Sequence, residues 1–128
     1  MYIEHIAFAL PDPTVGAAWY VEHLGCTVVR SSAQPPYAHF LLPPGGGVLI
    51  ELFNDPAVPD ADYGRVHPFR AHLAFHADDP DAVRTRLVEA GAVPEEGTIL
   101  AGARDHYVML RDPWGVPLQL VRRAEPLL

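Results

Sequence analysis

An internal repeat is the feature of this sequence that most constrains its fold. Residues 4–13 are EHIAFALPDP and residues 71–80 are AHLAFHADDP, so a shift of 67 residues superimposes His5 on His72. The two blocks share the same order of apolar, small and turn-forming residues. A repeat of this kind indicates two copies of one supersecondary unit.

A second pair of matching blocks lies later in each half of the chain. VLIELF at 48–53 matches VPLQLV at 116–121 with a shift of 68 residues, which superimposes Glu51 on Gln119. Because both pairs of blocks occur in the same order and their shifts differ by one residue, a duplicated unit explains them better than chance does.

Each copy begins with the pattern of a strand followed by a helix. Within residues 3–10 the apolar residues at 6, 8 and 10 alternate with His or Ala at 5, 7 and 9, which is the period of a strand. Asp12 and Pro13 are typical of the N-cap and first residue of a helix, and Gly25 is typical of its left-handed end. The second copy has the corresponding residues Asp79, Pro80 and Gly91.

Three strand candidates follow each predicted helix. They are residues 26–30, 37–42 and 48–53 in the first copy, and residues 92–98, 106–111 and 116–122 in the second. The sequence therefore predicts an α+β fold of two βαβββ modules, residues 1–53 and 70–128. The proline-rich residues 54–69 are too long for a turn and are predicted to connect the modules.

The alternation in these strands sets bulky apolar residues on one face and a single polar residue on the other. Alanines beside the polar residues of the first strands leave room for a ligand. An imidazole nitrogen with a carboxylate or amide oxygen suits Zn²⁺, Ni²⁺, Mn²⁺, Fe²⁺ or Co²⁺. The alternative is that each is an ordinary hydrogen-bonded strand residue, and it is weakest for Glu51, because an unpaired buried carboxylate is costly. The polar positions are His5, Glu51, His72 and Gln119.

The blocks EHIAF…DP…LG and AHLAF…DP…AG, with IEL and RDPWGVPLQL closing the halves, resemble the vicinal oxygen chelate superfamily over nearly the whole chain. That superfamily includes glyoxalase I, methylmalonyl-CoA epimerase, extradiol dioxygenases, fosfomycin-resistance enzymes and metal-free bleomycin-resistance proteins. The resemblance implies paired βαβββ modules that form a half-open barrel around a divalent transition metal, commonly in a homodimer. It makes His5, Glu51, His72 and Gln119 the four metal ligands.

The chain departs from the superfamily pattern at Gln119, where most metal-dependent relatives have Glu. An amide can bind a metal through its oxygen, but it cannot accept a proton. This departure disfavours the ring-cleaving and fosfomycin-modifying branches, which need a carboxylate there. It leaves Glu51 as the single carboxylate among the four expected ligands.

The resemblance implies a glyoxalase-like lyase or isomerase, or an epimerase, that abstracts a proton next to a metal-chelated carbonyl of a small molecule. Glu51, or a metal-bound hydroxide, would be the base, and His76 is a second candidate because it shares the face of His72. The alternative is a metal-free protein that binds a small molecule, like the bleomycin-resistance proteins. An iron oxygenase with two histidines and one carboxylate is disfavoured by the position of the carboxylate.

Composition excludes several other classes of function. The net charge is −7, with nine arginines and no lysine, which disfavours binding to nucleic acid or to an anionic membrane. Without lysine there is no Schiff-base chemistry on a lysine side chain. Cys26 is the single cysteine, so no intrachain disulfide forms, and no targeting segment is evident. These features predict a cytoplasmic protein, and the resemblance adds a small-molecule substrate and a second copy of the chain as its partners.

Several further residues are candidates for contact with a substrate. One of His106 and Tyr107 must face the expected cavity, and the alternation alone does not decide which. Arg70 shares the face of His72 and could meet an anionic group or form a surface ion pair. The resemblance suggests that the connection shapes the mouth of the site, and it contains Tyr63, His67 and Phe69.

Overall fold

The structure, a computed structural model, describes residues 1–96, 100–101 and 104–127. The chain forms two compact units, residues 1–61 and 62–128. Asn54 holds the start of the connection to the first unit, because its backbone N–H donates to Pro36 O at 2.7 Å and its side-chain amide donates to Leu10 O at 2.9 Å.

The first unit is one βαβββ module. Its elements are β1 (His5–Ala9), α1 (Pro13–Leu24), β2 (Thr27–Ser31), β3 (His39–Leu42) and β4 (Leu49–Phe53). The strands form one open sheet in the order β1-β4-β3-β2, with β1 parallel to β4 and the remaining pairs antiparallel.

The second unit repeats this arrangement. A 3-10 turn (Tyr63–Arg65) precedes β5 (Leu73–His76), α2 (Pro80–Glu89), β6 (Val93–Pro94), β7 (Leu100–Ala101), β8 (His106–Arg111) and β9 (Pro117–Arg122). The sheet order is β5-β9-β8-β6, β5 is parallel to β9, and the short β7 pairs with β8. The α+β class and the paired βαβββ modules predicted from the sequence are confirmed, and both sheets are open.

The predicted helix ends are confirmed in both units. Asp12 Oδ1 accepts hydrogen bonds from the backbone N–H groups of Thr14 and Val15 at 3.0 and 3.1 Å, and Gly25 ends α1 with a φ of 71°. Asp79 Oδ1 accepts from the N–H of Ala82 at 3.0 Å, and Gly91 follows α2 with a φ of 97°. Such caps satisfy N–H groups that a helix leaves without partners and hold each helix at the end of its strand.

The bulky apolar face of each sheet lies under its helix, as the alternation predicts. A Cβ added at Gly16 of α1 would meet the side chains of Leu10 and Leu52 at 2.6 and 3.3 Å, so α1 packs closely on this face. Burying each such leucine contributes about 2 kcal/mol to the free energy of unfolding. In the second unit the buried residues of the corresponding face are Val108, Leu110, Leu118 and Leu120.

The strand predicted at 92–98 is shorter in the structure. β6 has two residues, Val93 and Pro94, and beyond it the N–H of Glu95 donates to Met109 O of β8 at 3.3 Å. Residues 97 and 98 lie outside the described residues, and the short β7 was not predicted. Within the described parts of the chain, no helix has the length and apolar character to cross a membrane.

Candidate functional site

His5 and Glu51 lie side by side on the open face of the first sheet. Strand pairing sets Ala7 of β1 against Glu51 of β4, and His5 precedes Ala7 by two residues, so all three project from the same face. His5 Nε2 is 3.2 Å from Glu51 Oε2. Because Ala7 carries only a methyl group, the space next to this pair is not filled by its strand neighbour.

Glu4 holds the other nitrogen of the His5 ring. His5 Nδ1 donates a hydrogen bond to Glu4 Oε2, since an ionised carboxylate can only accept. This hydrogen bond raises the pKa of His5, and the charge of Glu51 acts in the same direction. In the neutral ring the proton is therefore on Nδ1, and Nε2 presents a lone pair towards Glu51.

A lone pair and a carboxylate oxygen at 3.2 Å repel each other unless a proton or a cation lies near both. Metal–nitrogen and metal–oxygen bonds of about 2.1 Å, at a ligand–metal–ligand angle of about 90–110°, would set the two donor atoms about 3.0–3.4 Å apart. The separation of His5 Nε2 and Glu51 Oε2 falls in that range. The chemistry and spacing of this pair fit an ion pair between protonated His5 and Glu51, and equally two neighbouring ligands of one divalent metal.

The second unit presents a corresponding but neutral pair. His72 lies directly before β5, and its Nδ1 donates to Pro68 O at 2.6 Å, which leaves Nε2 with a lone pair. Gln119 is paired with Ala74, so its side chain shares the face of His72. Gln119 Nε2 donates to Met109 Sδ at 3.4 Å, and its oxygen is the atom suited to a metal.

The strand register also decides which residues surround Gln119. His76 ends β5 on the same face, two residues beyond Ala74, and it is exposed. Tyr107 shares this face, because β8 pairs Met109 with Gln119. His106 projects to the opposite face and pairs with Asp81 Oδ2 at 2.9 Å. The register therefore settles the alternative that the sequence left open in favour of Tyr107.

In the first unit the structure sets His5 and Glu51 3.2 Å apart, and in the second unit the strand register sets His72 and Gln119 on one sheet face. In the described part of either unit, no three His, Cys, Asp or Glu side chains form a cluster that could hold a metal ion. That His5, Glu51, His72 and Gln119 share one metal remains a prediction.

Two groups that orient the histidines were missed in the sequence. Glu4 directly precedes His5, and an acid next to a candidate ligand on an exposed strand end is a signal that could have identified it. The carbonyl of Pro68 has no such signal, because any residue offers a carbonyl and only the path of the chain directs this one at His72.

Cys26 takes no part in this chemistry. It is buried, and burial raises the pKa of its thiol to about 11. At neutral pH the group is therefore a protonated thiol and not a nucleophile.

Comparison with known proteins places this geometry in a family. Residues 5–121 match the model of a family described as "Glyoxalase-like domain". A curated protein of Escherichia coli K12, the uncharacterized protein YaeR, is 30% identical over 122 residues, which cover 92% of this chain and 93% of that protein.

Solved structures show the same fold at lower identity. A glyoxalase family protein from Bacillus cereus superimposes with a TM-score of 0.80 at 14% identity, covering 98% of this chain and 95% of that one. The antibiotic binding protein TnmS3 from Streptomyces sp. CB03234 gives 0.69 at 20% identity, with 96% of both chains covered. The fosfomycin resistance protein FosX from Listeria monocytogenes gives 0.71 at 16% identity, covering 98% of this chain and 91% of that one.

Proposed function

This chain belongs to the glyoxalase-like family, within the vicinal oxygen chelate superfamily, and on that premise we propose that it is a metal-dependent lyase, isomerase or epimerase. It would remove a proton from the carbon next to a carbonyl group of a small molecule. The observation that carries the proposal is the pair of His5 Nε2 and Glu51 Oε2, 3.2 Å apart on an open sheet face.

The proposed ligands are His5, Glu51, His72 and Gln119, two from each module. Both histidines have Nδ1 engaged as a donor, by Glu4 and by the carbonyl of Pro68, which fixes the tautomer that binds a metal through Nε2. Donors from both modules are proposed because the superfamily pattern assigns two ligands to each module, at positions that correspond in the repeat. The two modules would come from one chain or from two chains of a homodimer.

When bound, a divalent transition metal would polarise the substrate carbonyl and stabilise the negative charge that develops there. Glu51 is the proposed base, because it is the one carboxylate among the four ligands and has a second oxygen besides the one that faces His5. His76 is the alternative base, since it is exposed on the same strand face as Ala74. Gln119 cannot take this role, because an amide does not accept a proton.

The substrate would lie over the small residues of the first strands. Ala7 and Ala74 pair directly with Glu51 and Gln119, so each proposed ligand has a methyl group as its cross-strand neighbour. In the first sheet Phe40 also pairs with Glu51 and lies edge-on to the ring of His5, with 5.6 Å between ring centroids. This aromatic wall would restrict water at the position where the proton is removed.

The test is exchange of a carbon-bound proton with solvent. Metal-loaded protein is incubated in D₂O with the hemithioacetal of methylglyoxal and with other compounds that carry a proton next to a carbonyl, and deuterium uptake is followed by NMR. We expect metal-dependent uptake that is lost in Glu51→Gln and kept in Glu89→Gln, an exposed control on α2. Loss in His76→Gln with retained metal would assign the base to His76 instead.

A second candidate is a metal-free protein that binds a small molecule without turnover. The observation that favours it is the neutral, buried Gln119, whose amide nitrogen is engaged with Met109. The fold relative TnmS3 is described as an antibiotic binding protein. This candidate predicts that the protein retains no metal after loading and desalting, and that it binds a small-molecule antibiotic in a metal-independent way.

A further inference from the structure

A cationic cleft lies on the segment that leads into β5. It has a volume of about 490 Å³ and is lined by Arg65, Val66, His67 and Arg70. Pockets of this size hold small molecules. Two guanidinium groups and an imidazole within six residues stand out in a chain with a net charge of −7.

The cationic groups of the cleft are available as hydrogen-bond donors. Arg65 pairs with Asp62 Oδ2 through Nε at 2.9 Å, so its two terminal amino groups remain to donate to a ligand. Within the described ranges, the guanidinium of Arg70 has neither an ion pair nor a hydrogen bond. His67 Nδ1 accepts a hydrogen bond from the N–H of Phe69 at 3.2 Å, so the ring proton is on Nε2 and can be donated.

Hydrogen bonds from an arginine of β8 fix the backbone of this segment. The Arg111 guanidinium donates to Tyr63 O and to Val66 O, each at 2.9 Å, and it also pairs with Glu95. Pro68 is buried. A cleft whose backbone is fixed before binding loses less conformational entropy when a ligand enters it.

The same segment holds one of the proposed metal ligands. Pro68 lies between His67 and Arg70 and provides the carbonyl that accepts from His72 Nδ1. We propose that this cleft binds an oxyanion group, a phosphate or a carboxylate, of the small molecule on which the protein acts. The inference rests on the proposed function, and it adds that the substrate is anionic. Forked guanidinium donors match the oxygen geometry of such groups.

The experiment measures binding of inorganic phosphate and of succinate to the full chain by calorimetry, at about 0.1 M salt so that unspecific attraction is screened. The titrations are repeated after chelator treatment, so that a metal cannot contribute an anion site. The variants are Arg65→Gln, Arg70→Gln and His67→Gln. Arg122→Gln is the matched control, an exposed arginine of β9 without an ion pair in the part of the chain described.

We expect saturable binding of at least one anion, weakened about 10- to 100-fold by Arg70→Gln, because each hydrogen bond to a charged group is lost with its partner. The control should stay within about twofold of wild type. Phosphate binding without succinate binding identifies a phosphorylated substrate, and the reverse identifies a carboxylate. Absence of saturable binding, or binding that all three cleft variants leave unchanged, would overturn the inference.

Metal analysis of the same preparations separates this inference from the proposed function. If the protein retains no metal but phosphate binding still depends on Arg70, the enzyme proposal fails and the anion site remains. If metal is retained and the cleft variants bind anions as wild type does, the anion site fails and the enzyme proposal remains.

Discussion

The two modules repeat one fold but differ in the charge and burial of their corresponding site residues. In the first module Glu51 is a partly exposed carboxylate that faces His5. In the second module Gln119 is a buried amide that donates to Met109. An unpaired carboxylate is costly to bury, whereas an amide needs only its hydrogen bonds. The charge is therefore on the more exposed of the two corresponding side chains, and the buried one is neutral.

The surroundings of the two histidines also differ in charge, and those in the first module are the more negative. His5 Nδ1 donates to the carboxylate of Glu4, and His72 Nδ1 donates to the backbone carbonyl of Pro68. Two carboxylates therefore surround His5, whereas the group that holds His72 is neutral. The two modules therefore keep polar residues at corresponding positions, and the first module carries the negative charge that would attract a cation.

Gln119→Glu would make the two modules alike and has the largest expected effect. A second carboxylate adds a proton acceptor, so it should raise any weak isomerase or epimerase activity by about 10²–10⁴-fold, the usual contribution of a positioned general base. It should also tighten metal binding, because a charged oxygen replaces a neutral one. The measurement is turnover of the hemithioacetal of methylglyoxal with Ni²⁺, Zn²⁺ or Mn²⁺.

Because residue 119 is buried, the free energy of unfolding gives an independent test of the same variant. Without metal, the introduced carboxylate would be buried, so Gln119→Glu should lower the free energy of unfolding by about 2–3 kcal/mol, and metal should restore it. Gln34→Glu is the control, because it adds the same charge at an exposed position. High wild-type turnover that Gln119→Glu leaves unchanged would show that this position has no catalytic part.

Glu4→Gln would remove the charged support of His5 and make it resemble His72. Loss of a carboxylate that orients a metal-binding histidine typically weakens metal affinity by about 10- to 100-fold. Glu22→Gln is the matched control, since Glu22 also neighbours a histidine in sequence, with 3.9 Å between Glu22 Oε2 and His23 Nε2. Competition with a chelating dye would measure both affinities, and equal affinities would contradict the role of Glu4.

The pKa of His5 is a second and smaller readout of Glu4→Gln. The hydrogen bond to Glu4 raises the pKa of His5, so NMR titration of the metal-free protein should place it above the ordinary histidine value. The substitution should lower it. Because the folded-state pKa is raised, the contribution of this group to stability is present at low pH and is lost as the pH rises through the pKa of His5. A pKa that Glu4→Gln leaves unchanged would count against the hydrogen bond.

The repeat made most of the fold predictable from the sequence. Asp12 and Asp79 act as predicted because capping depends on neighbours within three residues, and the strand faces follow from alternation. The sequence did not predict the hydrogen-bonding partners of Arg111. Two of them, the carbonyls of Tyr63 and Val66, are 48 and 45 positions away along the chain. A lone arginine in the apolar strand HYVMLR was the available signal, since a charge there needs partners.

The sequence predicted which sheet face carries each candidate site residue, but it did not predict which side-chain atoms are in contact. Pairing in register sets Ala7 against Glu51 and Ala74 against Gln119, as the alignment of the two halves suggests. The separation of His5 and Glu51 and the bond from Gln119 to Met109 depend on side-chain rotamers, which no sequence period specifies.

We claim that the first module supplies the charge that holds a metal, and the metal content of the protein tests this claim. Protein is loaded with excess Zn²⁺, Ni²⁺ or Mn²⁺, desalted and analysed for metal. Wild type should retain about one ion per chain, whereas Glu51→Gln, His5→Ala and His72→Ala should retain almost none, and Gln119→Ala should lose only part, because a neutral amide oxygen contributes least. Wild type that retains no metal, or Glu51→Gln that retains as much as wild type, would contradict the claim.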